Sequence, residues 1–269
     1  MRAALLVALL LQAAANAAIA QTYSSASPVP RTTSLPALQA LAIRREIEER
    51  FTIGLEAETR GDWKPAASEF ERIVALRPAE PQGSTAHYDL AIAYANLQRN
   101  DDAARELRAA LALDPGFLAA MANLISVDLA RGDAVEARSI ADRYVMLAPD
   151  SARALYSRGI VALRSGDDAT ARADFGKLLH ANPSYALAHY DLALAEERLG
   201  RYDAAETELR AALTLAPSYA RARFALGVVL LREGNHAAAR DAFARAMQDA
   251  AGDPALANIA AAMRDSIKR

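Results

Sequence analysis

The side chains that most often carry out catalysis or bind metals do not form a recognisable site in this sequence. None of the four histidines lies four residues from another, the helical spacing that chelates zinc. The absence of cysteine excludes disulfides, zinc–thiolate clusters and thiol nucleophiles. Neighbouring carboxylates such as Glu196 and Glu197 lie beside arginines, as on a solvated helix face. The sequence therefore predicts a protein that is not an enzyme and has no metal or cofactor.

Aromatic residues recur at one register of the chain and are the strongest candidates for a binding surface. They are Phe51, Tyr88, Tyr156, Tyr190 and Phe224, separated by 37, 68, 34 and 34 residues. Tyr and Phe provide large contact areas at small entropic cost and are frequent in protein interfaces. The same rings can instead pack between neighbouring elements of their own chain. Both interpretations are compatible with the spacing.

Two further columns follow the aromatic residues at intervals of four residues, which places all three on one helix face. The first is mainly apolar and contains Ile160 and Leu194, and the second ends in Arg164, Arg198 and Arg232. In a binding role the arginines would pair with acidic groups of a partner or stack on the tyrosines. In a structural role they would complement a helix dipole or be solvated.

These columns require elements that repeat about every 34 residues, and the prolines show such a repeat. Pro78, Pro115, Pro149, Pro183 and Pro217 are separated by 37, 34, 34 and 34 residues. Each ends an amphipathic segment that is preceded by a turn and by another amphipathic segment. Regular spacing of this kind indicates a tandem array whose unit is helix, turn, helix and proline-containing turn.

The second helix of each unit has a small residue early and a large apolar residue four positions later. The small residue allows the paired helices to approach closely, and the large one lies on the same helix face. In the third unit Ala141 stands where the large residue is expected. The small residues are Ala66, Ala103, Ala137, Ala171, Ala205 and Ala239, and the large ones are Phe70, Leu107, Phe175, Leu209 and Phe243.

These units resemble the tetratricopeptide repeat family over residues 47–251. The first-helix pattern of that family is matched by Leu90, Ala91 and Tyr94, and its second-helix pattern by Gly200, Tyr202, Ala205, Ala212 and Pro217. The resemblance implies an all-α fold, a right-handed α-solenoid of about six repeats. The array is expected over residues 37–253, with repeats at about 47–80, 84–117, 118–151, 152–185, 186–219 and 220–253.

In arrays of this kind the first helices line a concave groove. The ten residues predicted to bind a peptide there are Phe51, Tyr88, Tyr156, Tyr190, Phe224, Ile160, Leu194, Arg164, Arg198 and Arg232. Some members of the family clamp a partner's terminal carboxylate with lysine, asparagine and arginine. The positions expected to carry lysine are aromatic in this chain, so that clamp is not predicted.

The C-terminal end of the array needs a cover, because a solenoid exposes an apolar face at each end. Asp253 is predicted as an N-cap and Pro254 as the first residue of a capping helix over residues 254–269. The apolar stripe expected to cover the last repeat consists of Leu256, Ile259, Met263 and Ile267.

The N-terminal sequence predicts export. Residues 1–20 have a basic start, an apolar stretch and the cleavage pattern Ala18-Ile19-Ala20, and residues 21–36 form a linker rich in Ser, Thr and Pro that is expected to be flexible. Cleavage would leave no integral membrane span and a periplasmic protein. The alternative is an uncleaved N-terminal membrane anchor, which requires about 20 apolar residues.

The charge pattern favours protein partners. The formal net charge is −2 and basic residues are dispersed, so neither nucleic acid nor anionic lipid is a predicted ligand. The first hypothesis is an envelope adaptor that holds a partner segment in the groove. The alternative is a structural component of outer-membrane, polysaccharide-export or pilus assembly that acts through its convex surface or ends. A carbohydrate-binding groove is a third hypothesis, and self-association is left open.

Overall fold

The computed structural model describes residues 34–267, and the predicted signal peptide and most of the predicted linker lie outside this range. The described residues divide between two compact units, with the boundary between Glu48 and Glu49. The second unit contains six helical hairpins and a last helix, and residues 34–267 contain no β-strand. The first helix, α1, begins in the first unit and ends in the second.

The helices alternate as first and second members of the hairpins. The first members are α1 (Leu35–Arg60), α3 (Gln82–Asn96), α5 (Leu118–Arg131), α7 (Ala152–Ser165), α9 (Ala186–Arg198) and α11 (Ala220–Arg232). The second members are α2 (Trp63–Ala75), α4 (Asn100–Leu113), α6 (Ala134–Leu147), α8 (Asp168–Ala181), α10 (Tyr202–Leu215) and α12 (His236–Asp249), and the last helix is α13 (Pro254–Ser266).

Each hairpin of the second unit packs on the next hairpin along the chain. The second helix of one hairpin contacts the first helix of the following one, and the successive first helices α5, α7, α9 and α11 also contact one another. The prediction of an all-α solenoid is therefore confirmed. Glycines in the left-handed region end several first helices, for example Gly132 at φ 86° and Gly166 at φ 78°, where a side chain would be strained.

Close approach of the two helices in a hairpin is visible at glycines of the first helix. A Cβ atom added at Gly159 would lie 2.6 Å from a ring carbon of Phe175, well inside van der Waals contact. Gly54 has the same relation to Phe70, and Gly227 to Phe243, at 2.7 Å. The three phenylalanine rings are fully buried. A large residue in the second helix therefore requires the absence of a side chain in the first.

The same register explains the deviation in the third hairpin. Where the second helix carries Leu107 or Leu209, the first helix carries Ala91 or Ala193, and all four residues are buried. In the third hairpin Ala141 stands in the second helix and the buried Ile125 occupies the matching position of the first. The Gly–Phe, Ala–Leu and Ile–Ala pairs have similar total volumes, but they divide that volume differently between the first and the second helix.

The last helix begins as predicted, and one residue of its predicted apolar stripe is exposed. The Asp253 carboxylate accepts a hydrogen bond from the Leu256 amide at 3.1 Å, which confirms the N-cap. The predicted apolar stripe is wrong at Ile259, which is 53% exposed, whereas the adjacent Ala260 is fully buried. At its other end the predicted stripe holds, because Ile267 is buried and Met263 packs against the core of the last repeats.

The effect of Gly159→Ala on the free energy of unfolding should depend on whether residue 175 is phenylalanine. In the wild-type background we expect a loss of up to about 2 kcal/mol, because overpacking costs about 1–3 kcal/mol and improved helix propensity returns about 1 kcal/mol. With Phe175→Leu already present, Gly159→Ala should be neutral or stabilising. Urea denaturation of the four proteins measures both effects.

Gly176→Ala is the matched control, because Gly176 lies in α8 with open space around its missing side chain. This variant should gain up to about 1 kcal/mol in either background. Equal destabilisation by Gly159→Ala with and without the ring of Phe175 would contradict the steric account.

Candidate functional site

The predicted aromatic column lies on the first helices and takes part in internal packing. Tyr88 is buried, and the other four rings are half-buried. Three of them contact the large residue of their own hairpin. The ring centroids are separated by 6.2 Å for Phe51 and Phe70, 5.8 Å for Tyr156 and Phe175, and 5.3 Å for Phe224 and Phe243.

A second set of aromatic residues, which the sequence reasoning missed, packs on the same column. The N-cap residue of the next first helix contacts the aromatic residue of the preceding hairpin in three places. The centroid distances are 4.9 Å for Tyr88 and Phe117, 5.4 Å for Tyr156 and Tyr185, and 5.1 Å for Tyr190 and Tyr219. The available signal was an aromatic residue two positions after each of three repeat prolines, as in Pro183-Ser184-Tyr185.

Hydrogen bonds from this column also join successive first helices. The hydroxyl of Tyr156 on α7 donates to Oδ2 of Asp191 on α9 at 2.7 Å. On the preceding helices, Nδ2 of Asn123 donates to the Tyr88 hydroxyl at 3.1 Å. The aromatic column therefore stabilises the stack of hairpins. Its role in peptide binding stays a prediction.

Asp191 lies among four tyrosines at the junction of α7, α9 and α11. Only 6% of its surface is exposed, and burial raises its pKa to about 6 despite the hydrogen bond from Tyr156. Burial also raises the pKa of Tyr185, Tyr190 and Tyr219, and the charge of Asp191 adds to the increase. These hydroxyls consequently stay protonated and available as hydrogen-bond donors at neutral pH.

A second set of carboxyl groups with raised pKa values lies near the start of the array. Burial raises the pKa of Glu58 on α1 to about 7, and burial together with the Glu58 charge raises the pKa of Asp89 on α3. One carboxylate oxygen of Glu58, Oε2, is buried without a hydrogen-bond partner among residues 34–267. These groups are costly to ionise in the folded state.

Two of the three predicted groove arginines bind backbone carbonyl groups. Nη1 of Arg164 donates to the Leu129 carbonyl at 3.3 Å, and Nη1 of Arg198 donates to the Leu163 carbonyl at 2.5 Å. Both acceptors lie in the last turn of the preceding first helix, where carbonyl groups lack the usual intrahelical partner. The Leu163 carbonyl also accepts a hydrogen bond from the Gly166 amide at 3.4 Å. Arg232 is exposed and has no ion-pair partner among the described residues.

Three predicted binding residues meet at one cavity, whereas the others do not line it. Tyr190, Leu194 and Phe224 enclose a space of about 390 Å³ together with Val228 and Leu256. Glu197 of α9 and Arg221 of α11 also line this cavity. A mainly apolar pocket with a few polar groups is typical of sites that hold a side chain or a small ligand. The predicted residues away from the cavity are Phe51, Tyr88, Tyr156, Ile160, Arg164, Arg198 and Arg232.

Two of the four histidines lie beside single carboxylates of the second helices. Nδ1 of His87 is 2.7 Å from a Glu106 oxygen, and Nδ1 of His189 is 2.5 Å from a Glu208 oxygen. The part of the chain that the structure describes contains no cluster of three or more residues suited to a metal ion. It also contains no helix long and apolar enough to cross a bilayer.

The buried carboxyl groups predict that the protein gains stability when the pH falls from 8 to 5. The folded pKa values of Asp191 and Glu58 exceed the ordinary values of 3.8 and 4.5. The folded state therefore binds more protons than the unfolded state in this window, and its advantage is lost as the pH rises through about 6 to 7. We expect a difference in unfolding free energy on the order of 2 kcal/mol.

The variants Asp191→Asn and Glu58→Gln should each raise stability at pH 8 and flatten its pH dependence, measured by urea denaturation. Asn keeps an oxygen that accepts the hydrogen bond from Tyr156. Glu136→Gln removes an exposed carboxyl group of α6 and is the matched control. A wild-type protein that is more stable at pH 8 than at pH 5 would contradict this assignment.

The fold occurs in solved structures with low sequence identity. A tetratricopeptide repeat protein from Parabacteroides merdae has a TM-score of 0.66 and 17% identity, covering 84% of this chain and 94% of that one. A MamA structure from Desulfovibrio magneticus has a TM-score of 0.59 and 19% identity, covering 63% and 96%. The Cut9–Hcn1 hetero-tetramer of APC/C has a TM-score of 0.65 and 19% identity, covering 81% and 42%. No curated protein matches the chain significantly.

Sequence models described as tetratricopeptide repeat match most of the described chain. One model matches residues 51–116, 156–220 and 190–254, and a second matches residues 97–158. Together the matches follow the stacked hairpins from the first to the sixth. The protein therefore belongs to the tetratricopeptide repeat family.

Proposed function

We propose that this protein is an interaction scaffold of the cell envelope that binds a segment of a partner protein along its first helices. The family and the fold support a protein–protein interaction scaffold. The observation that carries the binding site is the cavity at which Tyr190, Leu194 and Phe224 meet. The envelope location rests on the export signal predicted in residues 1–20.

The cavity suits a protein segment because its walls are mainly apolar and its volume of about 390 Å³ is sufficient to admit a large side chain. Leu194, Phe224 and Val228 are only partly buried, so they keep apolar surface that a partner can cover. Burial of such surface contributes about 25 cal/mol per Å². Ordering of the partner opposes this gain, so roughly micromolar affinity is expected.

A different surface favours the second candidate function, a structural component that assembles through its second helices. Val135 and Met146 of α6 are 79% and 76% exposed. They are eleven residues apart and therefore lie on one face of the helix, three turns from each other. Exposed apolar side chains of this size are candidates for contact with another protein.

Site-specific photo-cross-linking in intact cells distinguishes the two candidates. A photoreactive phenylalanine analogue at Leu194 should cross-link to a distinct protein, and the product should fractionate with the envelope. The same analogue at Met146 is the matched control on the second-helix surface and should give no product. A second substitution, Val228→Glu, should abolish the product at position 194 because it places a charge in the apolar cavity.

Cross-linking only at position 146 would favour the assembly component over the groove adaptor. A product that fractionates with the cytoplasm would refute the envelope location and leave the binding surface intact.

A further inference from the structure

Two opposite charges without ion-pair partners line the apolar cavity. Glu197 of α9 and Arg221 of α11 both face this space, and no other described residue forms an ion pair with either of them. Their neighbours behave differently. Glu196 bonds to Arg172 at 2.9 Å, and Arg223 pairs with Asp249. Within the described part of the chain, Glu197 and Arg221 are thus unpaired charges on the side of α9 and α11 that borders the cavity.

The two charges lie at opposite ends of the cavity. Each hairpin repeats the last after 34 residues, so Glu197 lies beside Leu231 of α11 in register, ten residues from Arg221. At 1.5 Å of helix rise per residue this corresponds to about 15 Å. Between the two ends the lining is apolar, formed by side chains that include Leu194, Phe224 and Val228. A ligand in the cavity therefore meets a positive end, an apolar middle and a negative end.

Among the described hairpins, opposite charges at these two positions occur only where the fifth hairpin meets the sixth. The residues at the matching positions of the other junctions are Glu58 with Thr85, Ala95 with Ala119, Leu129 with Arg153, and Leu163 with Leu187. The one other arginine of this set, Arg153, donates to an Asn123 oxygen at 3.0 Å. The opposite charges are consequently a feature of the junction between the fifth and sixth hairpins rather than of the repeat.

We propose that the cavity selects a partner segment with an apolar side chain between an acidic and a basic residue. The acidic side chain contacts Arg221, the apolar one fills the cavity, and the basic one contacts Glu197. An extended chain advances about 3.3 Å per residue, so about four residues separate the two charges. The pattern is acid, any residue, apolar, any residue, base, in either chain direction. This inference rests on the proposed function and names the partner's recognition sequence.

Charge complementarity favours a partner protein over the chain's own linker. Residues 21–36 contain Arg31 as their single charged residue and no acidic residue, so this segment does not satisfy Arg221. Charges at such a site contribute mainly to specificity, because matched pairs are favourable while like charges repel. Arg221 and Glu197 therefore determine which apolar segments bind.

Selection of random linear peptides by phage display on the full-length protein tests the proposal. The wild type should enrich an apolar residue with an acidic residue on one side and a basic residue on the other. Arg221→Glu should enrich basic residues on both sides, and Glu197→Lys acidic residues on both sides. A synthetic peptide with the wild-type pattern should lose at least tenfold in affinity for Arg221→Glu, and reversal of its acidic residue should restore binding.

Ala225→Phe distinguishes failure of this inference from failure of the proposed function, because Ala225 lines the cavity and a larger side chain fills it. Far-UV circular dichroism verifies that each variant keeps its helices. If Ala225→Phe blocks peptide binding but the two charge variants enrich peptides with the same charges as the wild type does, this inference is overturned and the proposed function stands. Absence of enrichment, or binding that Ala225→Phe leaves unchanged, would overturn both. A dimer of the wild type that Arg221→Glu abolishes would identify a second copy as the occupant and overturn the inference.

Discussion

The space between the two helices of each hairpin is the constraint on which the rest of this structure depends. That space accepts one large side chain, and the sequence divides it between the helices in three ways. Gly159 leaves it to Phe175, Ala91 shares it with Leu107, and Ile125 fills it opposite Ala141. Because the volume is conserved, each hairpin keeps a similar spacing and the next one can stack on it in register.

Constant spacing brings the first helices side by side. It thereby determines which of their residues take part in packing and which remain available to a partner. Part of that face packs against the second helices, and another part contacts the neighbouring first helix, as in the bond from Tyr156 to Asp191. The aromatic rings serve these contacts, so replacing them alters the stability of the stack. Residues such as Glu197 and Arg221 have no such structural partner. They can be replaced without disturbing the stack, and the proposed specificity depends on them.

The repeat was predictable from sequence because helix length, turns and hairpin packing depend on local spacing. Proline and glycine mark the turns, and alanine followed by a large apolar residue marks the tight face of each second helix. The cap at Asp253 follows from the same local rules. The compensation of Ala141 by Ile125 was missed, because it concerns two residues sixteen positions apart on different helices.

Contacts between hairpins were harder to predict, because they depend on distances that local periodicity does not encode. The stacking of Tyr185 on Tyr156 and the bond from Arg198 to the Leu163 carbonyl join residues about one repeat apart. Arg164 and Arg198 therefore stabilise the stack of hairpins although both are exposed. The cavity required four helices, α9, α10, α11 and α13, to be placed together before its lining could be identified.

The most direct test of the conserved volume is a double-mutant cycle in the third hairpin, with Ile125→Gly and Ala141→Phe. Each single change should destabilise the protein by about 2–4 kcal/mol, the first by leaving a cavity and the second by overpacking. The double variant reproduces the Gly–Phe pair of Gly159 and Phe175, and it should recover at least about 2 kcal/mol relative to the sum of the single losses. Additive losses, measured by chemical denaturation, would contradict the account.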